Sequence, residues 1–242
     1  MSLMPLDLRF ALRNLLKRPG FAAVAILTLG LGIGANGAVA SVVRALLLRP
    51  LPYGAQDRLV SLWSSWSDFP KSWMGVEEAR AWADAGVFDG VALFQARQAS
   101  LTGGAEPERV GSAVVSPNVF TVLGVNPKLG RTFRPEEAHD KPAPVVILSE
   151  DLWRRRFGGR PQIVGSSVSI NGAPLTVVGV MPAGFRLPSD YASATPSQLW
   201  TPFEEEWTGP YAVPPRGGSH NYDCVARLRP GVTLQQADAR LH

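Results

Sequence analysis

The hydrophobic pattern opens with two stretches of different character. Leu8, Ala11, Leu12, Leu15 and Leu16 recur at helical spacing on one face, while Arg9, Arg13 and Lys17 form a stripe on another. That pattern predicts an amphipathic helix over residues 1–20, lying on a membrane surface until Pro19 and Gly20 turn the chain. From Phe21 to Val43, about 23 positions, no residue is ionisable. As a helix this stretch would rise about 35 Å against a hydrocarbon core of about 30 Å. Residues 21–48 are therefore expected to cross a membrane once. Their Leu, Ile, Val and Phe side chains favour insertion by about 3–6 kcal/mol, partly offset by Asn36 and the glycines. Gly30 and Gly34 lie four apart on one face, where small residues admit a second helix; glycines merely tolerated against lipid would give the same pattern.

The remainder, residues 55–242, alternates short strands and helices. Leu59–Trp63 reads as a strand and Val76–Ala85 as a helix with Glu77, Glu78 and Arg80 exposed. Val87–Leu93, Ala99–Thr102 and Arg109–Val115 read as strands or strand pieces, punctuated by Gly103, Gly104 and Pro107. Pro117 begins a short helical piece carrying Phe120, Val122 and Leu123, capped by Gly124. The strand Val145–Leu148 runs into Ser149 as the N-cap of a helix, with Glu150 and Asp151 in its first turn and Arg154, Arg155 and Arg156 in its last. Val168–Ile170 and Leu175–Val180 flank Asn171-Gly172, a hairpin signal. Cys224–Leu228 is a strand, Pro230-Gly231 a turn, and Thr233 the cap of a helix running to His242. Leu234, Ala237 and Leu241 on one face of that helix need a packing partner, which raises the expectation of further chain beyond it; docking on the same domain is the alternative. The fold class is α+β, with an amphipathic and a transmembrane helix followed by a mixed α/β domain.

Composition sharpens this picture. The 242 residues carry a net charge of +4, and a chain of this length holds one or two domains. Charged residues make up 18%, below the roughly 25% typical of soluble domains, and the apolar stretch accounts for much of the deficit. Arg9, Arg13, Lys17 and Arg18 precede that stretch closely, whereas Arg44, Arg49 and Arg58 follow more sparsely, which sets the N-terminus in the cytoplasm. The other cations are scattered among acids, without the basic patch interleaved with aromatics that nucleic-acid binding needs. Cys224 is the single cysteine, excluding an intramolecular disulfide and a four-cysteine zinc site.

Two rival readings of the apolar stretch carry less weight. Ala38, Val39 and Ala40 resemble a signal-peptide cleavage site, but the basic region before the stretch is long and the stretch continues past them. Gly32, Gly34 and Gly37 spell GxGxxG with Asp57 beyond, as in a dinucleotide-binding oxidoreductase; the turn-rich Arg49–Gly54 passage leaves no room for the required second strand.

The chain contains no phosphate loop, HExxH, GxSxG or paired-cysteine motif. His139, His220 and His242 lack ligand spacing to one another or to Cys224. Glu136, Glu137, His139 and Asp140 form a polar run read as a solvated loop, and Glu204, Glu205 and Glu206 are adjacent rather than opposed acids. No catalytic, cofactor or metal site is expected. Trp63, Trp66, Trp73 and Trp82 read as core or membrane-proximal anchors, with a partner-binding surface as the alternative.

An ordered run of motifs resembles a known family. It comprises Val115-Ser116-Pro117-Asn118-Val119-Phe120-Thr121-Val122-Leu123-Gly124-Val125, Leu129-Gly130-Arg131-Thr132-Phe133, Val146-Ile147-Leu148-Ser149 and Trp153-Arg154-Arg155-Arg156-Phe157-Gly158-Gly159. Asn171-Gly172 with Val177-Val178-Gly179-Val180-Met181-Pro182, and Arg227-Leu228-Arg229-Pro230-Gly231-Val232-Thr233, complete it. Together with Leu12-Arg13-Asn14-Leu15 and Pro19-Gly20-Phe21, these are similar to the periplasmic core domain and first-helix start of MacB/FtsX-type ABC-transporter permeases, particularly the ATPase-less orphan permeases of acidobacteria. The resemblance implies a four-helix inner-membrane permease whose outer domain lies between its first two membrane helices, with only the first helix in this sequence. It implies mechanotransmission driven by a separate cytoplasmic ATPase subunit, with Arg9, Arg13 and Lys17 near the coupling surface. It further implies an outer domain, with a βαβ-containing part and a β-rich insertion, that contacts cargo, a periplasmic adaptor for efflux, or, in a regulatory module, a cell-wall enzyme.

Overall fold

The computed structural model describes residues 19–47, 52–66, 69–102, 106–138, 143–203 and 221–241. The amphipathic helix, Arg9, Arg13 and Lys17, His139, Asp140, the Glu204–Glu206 run, His220 and His242 lie outside the described residues. The chain divides into two units, Met1–Leu51 and Pro52–His242.

In the first unit, one helix, α1 (Pro19–Leu47), runs unbroken. Among its described side chains, Val24, Leu27 and Leu31 are exposed at 64%, 71% and 77%. Such a surface is stable only against lipid or another helix. Pro19–Ala38 is long and apolar enough to cross a membrane, with a mean hydropathy of 1.7. Gly32, Gly34 and Gly37 sit within continuous helix, so the strand–turn–helix geometry of a dinucleotide site is absent at these residues.

The second unit is built on a nine-stranded mixed sheet. In chain order its elements are β1 (Leu59–Leu62), the hairpin β2 (Ser64–Trp66) and β3 (Phe69–Ser72), α2 (Val76–Asp84), β4 (Phe88–Thr102), β5 (Glu108–Val115) and α3 (Val119–Leu123). There follow β6 (Leu129–Gly130), β7 (Val145–Ser149), α4 (Glu150–Phe157), β8 (Ser167–Ile170), β9 (Ala173–Met181), β10 (Ser197–Pro202), β11 (Asp223–Leu228) and α5 (Leu234–Leu241). The strand order is β1-β11-β4-β5-β10-β7-β9-β6, with β8 paired to β4 and β9. β5 and β10 are parallel, as are β7 and β9, and α4 lies on the connection between the latter pair. This is the βαβ part; the β1-β11-β4-β5 ladders around it are antiparallel.

Both faces of the sheet are covered, and strand alternation divides the core. Ile147 and Trp200 join Phe120, Phe133 and Phe185 on one side, whereas Leu148 and Leu199 join Leu152 and Trp153 on the other. Phe120 meets Trp200 edge-on with centroids 6.0 Å apart, and Phe185 meets Trp200 at 5.2 Å, a favoured geometry for aromatic pairs.

Local signals explain the helix ends. The Ser149 hydroxyl accepts the Leu152 N–H at 3.2 Å, and Gly124 and Gly158 close α3 and α4 in left-handed conformation at φ 68° and 69°. Asn171 and Gly172, at φ 52° and 81°, form the tight turn between β8 and β9. Thr233 and Gln236 form a reciprocal capping box at the start of α5, at 2.9 and 3.2 Å.

The structure adds the β2–β3 hairpin and β6 to the elements read from the sequence and differs from that reading at four further places. β4 is one strand of 15 residues, because the polar Gln95–Gln98 stretch that broke the pattern is held by a ladder to β5. β10 shows no alternation, yet it is an inner strand buried between β5 and β7. α5 docks on this domain, with Ala237 and Leu241 against Phe88, Ala226 and Leu228, although Leu234 stays exposed. Trp63 and Trp73 are exposed at 43% and 62%, not core; among the described side chains the fully buried indole is Trp200 and Trp82 is partly buried, while the Trp66 side chain lies outside them.

Candidate functional site

The segment that follows α1 in the chain enters the second unit as a strap, Tyr53–Arg58, bonded into its core. Tyr53 is buried, and its hydroxyl donates to the Arg186 carbonyl at 2.7 Å. Burial above all raises the phenol pKa, so it remains a donor. The Gly54 N–H donates to the Leu123 carbonyl at 3.1 Å. A Cβ on Gly54 would stand 2.9 Å from the Gly124 oxygen, so only glycine fits against the end of α3. Arg58 bonds the Leu228 carbonyl and pairs with Asp89, both at 3.0 Å.

Arg227, 8% exposed, is the hub. Its Nε donates to the Val122 carbonyl at 2.8 Å, Nη1 to Ala55 at 3.0 Å and Nη2 to Gly54 at 2.6 Å. The planar fork of a guanidinium can serve three fixed carbonyls at once, which an ammonium cannot. Desolvation lowers its pKa, but arginine remains charged at any physiological pH. One side chain on β11 therefore ties the strap to the C-terminal end of α3.

The other end of α3 is fixed by the Ser116-Pro117-Asn118 turn. Ser116 Oγ accepts the Leu93 N–H at 3.0 Å and donates to Asn118 Oδ1 at 2.8 Å, while Asn118 Nδ2 donates to the Val91 carbonyl at 2.8 Å. Asn118 and Thr121 then line an apolar groove of about 470 Å³, closed opposite by Ala79 and Ala83 of α2 and by Phe133. Strap, α3 and groove form one bonded path.

Among the described residues no group of three His, Cys, Asp or Glu could hold a metal. Cys224 is buried, and burial, then Glu78 and Asp223, push its thiol up to about 12. Glu137 of the acidic run accepts from Arg131 at 2.5 and 2.9 Å and from the Arg134 N–H at 2.9 Å; its carboxylate is a structural brace. Gly30 and Gly34 meet nothing within 4 Å of a built Cβ. The joint at Tyr53, Gly54 and Arg227 escaped sequence reasoning; its faint signal was an arginine at a strand position that alternates with buried apolar neighbours.

The described residues hold an apolar N-terminal helix and, later in the chain, a mixed-sheet domain whose Tyr53–Arg58 strap is bonded to α3 and β11. The chain belongs to the MacB-like periplasmic core domain family, whose profile matches residues 22–242. It is a permease component of the MacB/FtsX type. Among solved structures it is similar to the periplasmic region of MacB from Actinobacillus actinomycetemcomitans, with 17% identity, 76% of this chain and 79% of that chain covered, and a TM-score of 0.55. It is also similar to the extracellular domain of the noncanonic ABC-type transporter YknZ from Gram-positive bacteria, with 15% identity, 75% and 88% covered, and a TM-score of 0.53. At these identities the two likenesses establish the fold. No curated protein matches the chain.

Proposed function

We propose that this protein is the membrane anchor and outer domain of a MacB/FtsX-type permease that works by mechanotransmission in the inner membrane. Residues 1–20 lie on the cytoplasmic side, residues 21–48 cross the bilayer, and residues 55–242 fold in the periplasm, where they contact partner or cargo. Arg9, Arg13 and Lys17 face the cytoplasmic coupling surface, where a separate ATPase subunit acts, and Gly30 and Gly34 admit a neighbouring permease helix. The protein is not an enzyme; force, not chemistry, passes through it.

The observation that carries this reading is the strap. A domain that merely floated on a tether would join its membrane helix by a linker, and relative motion would dissipate there. Here Tyr53, Gly54 and Ala55, the first residues of the second unit, are bonded to Arg186, Leu123 and Arg227, which supports reading the strap as the place where the domain takes up force. The direct test is purification of the full chain from membranes of its host. Recovery of an ATPase and an adaptor supports transport, whereas recovery of a cell-wall hydrolase converts the role to enzyme recruitment. Protease added to spheroplasts should degrade residues 55–242, and protection of that region would refute the topology.

A further inference from the structure

A second groove, of about 760 Å³, lies between the β2–β3 hairpin and the 3₁₀ turn Pro188–Ala192, and among its walls are Trp63, Lys71, Trp73, Ser189, Tyr222 and Asp223. Two features of it are unlike ordinary surface. Large indoles are usually buried for most of their area, yet Trp63 and Trp73 remain open here. Two polar groups in the same walls are also unsatisfied. The Ser189 hydroxyl oxygen is buried without a hydrogen-bond partner, and among the described residues nothing donates to the half-buried Asp223 carboxylate.

The Asp223 carboxylate accepts hydrogen bonds, and together with the indole faces it asks for a cation. Lys71 already demonstrates the compatibility of this surface with one: its Nζ sits 4.3 Å from the centroid of the Trp63 ring. Lys71 makes no ion pair with Asp223 among the described contacts, so the carboxylate stays uncompensated. Burial holds Asp223 above the usual carboxylate range, the state of an acid that a bound cation would relieve.

We propose that this groove binds a primary ammonium carried on an apolar or aromatic stem, its N–H groups on Asp223 and its stem against Trp73. The site goes beyond the mechanotransmission reading and stands or falls independently of it. A carboxylate ligand is repelled by Asp223, and a neutral alcohol of the same shape leaves the acid unpaired.

The test uses the full chain in detergent with phenethylammonium as the probe, followed by calorimetry and by the indole N–H resonances of Trp63 and Trp73. Phenethylammonium is expected to bind at least about tenfold more tightly than phenethyl alcohol, with phenylacetate weaker still. D223N should lose about tenfold in affinity, and W73A, at an exposed position that the fold does not need, should lose a similar factor. D84N, on the exposed end of α2, should bind as the parent does. Equal affinity for the ammonium and the alcohol, undiminished binding in W73A, or no binding at millimolar probe would each overturn the proposal; W73A decides it if D223N does not fold.

Discussion

Replacing Arg227 by Met keeps an apolar stem and deletes the guanidinium that joins β11, α3 and the strap. The carbonyls of Gly54, Ala55 and Val122 then lose their donors, at present 2.6, 3.0 and 2.8 Å away. A hydrogen bond from a charged group contributes about 1.5–3 kcal/mol, and a buried acceptor left unpaired costs about 1–3 kcal/mol. Two of the three carbonyls lie at part-buried positions, where water recovers some of the loss, and deleting a desolvated charge returns a little more. The net expectation for R227M is a loss of about 3–5 kcal/mol, a large fraction of the roughly 5–15 kcal/mol available to a domain. R227K should recover only about 1–2 kcal/mol, because an ammonium cannot fork across three carbonyls. Urea unfolding of the full chain in detergent, followed by near-ultraviolet circular dichroism, reads the total. Hydrogen exchange at the Gly54 amide, bonded to Leu123, reads the joint, and should accelerate well before the β4–β5 ladder does. A loss under about 1 kcal/mol with unchanged Gly54 exchange would refute the reasoning.

Three further outcomes follow from other contacts. Gly111 lies so close to the Pro196 and Thr195 carbonyls that a Cβ would overlap them, so G111A should force β10 away from β5 and cost about 1–3 kcal/mol or more in the same unfolding assay. The Asp190 carboxylate, 1% exposed, accepts from the Leu187 and Ser197 amides at 2.8 Å each and from the Ser197 hydroxyl at 2.9 Å. D190N turns one acceptor into a donor facing an N–H and should cost about 1–3 kcal/mol, read as a lowered melting temperature. The hydrogen bond from Arg131 holds the Glu137 carboxyl below its ordinary value of 4.5. Its contribution is therefore complete above that value and is lost as pH falls through the folded pKa. Melting temperatures recorded downward from about pH 6 should fall less steeply for E137Q than for the parent, and parallel curves would exclude Glu137 as a source of acid sensitivity.

A buried arginine engaged with backbone carbonyls closes a loop at a desolvation cost that its hydrogen bonds only partly offset. The Ser116-Pro117-Asn118 turn holds the far end of α3, so this short helix is fixed at both ends.

What the sequence determined by itself was everything governed by neighbours along the chain. The uncharged stretch after Pro19 specified a long apolar helix, because composition and length alone decide whether a helix can live without water. Ser149, Gly124, Asn171-Gly172 and Thr233 specified their caps and turns, because each acts on backbone groups within a few residues. The tertiary structure alone decided the rest. β10 carries no alternation because both of its faces are buried, so only its neighbours β5 and β7 identify it. The polar middle of β4 is strand because β5 supplies its hydrogen bonds. Tyr53 and Arg186, and Gly54 and Arg227, meet across wide separations in sequence, and no local pattern encodes which distant carbonyl a side chain will face. Packing chooses those partners, and the joint and the second groove exist only after it has done so.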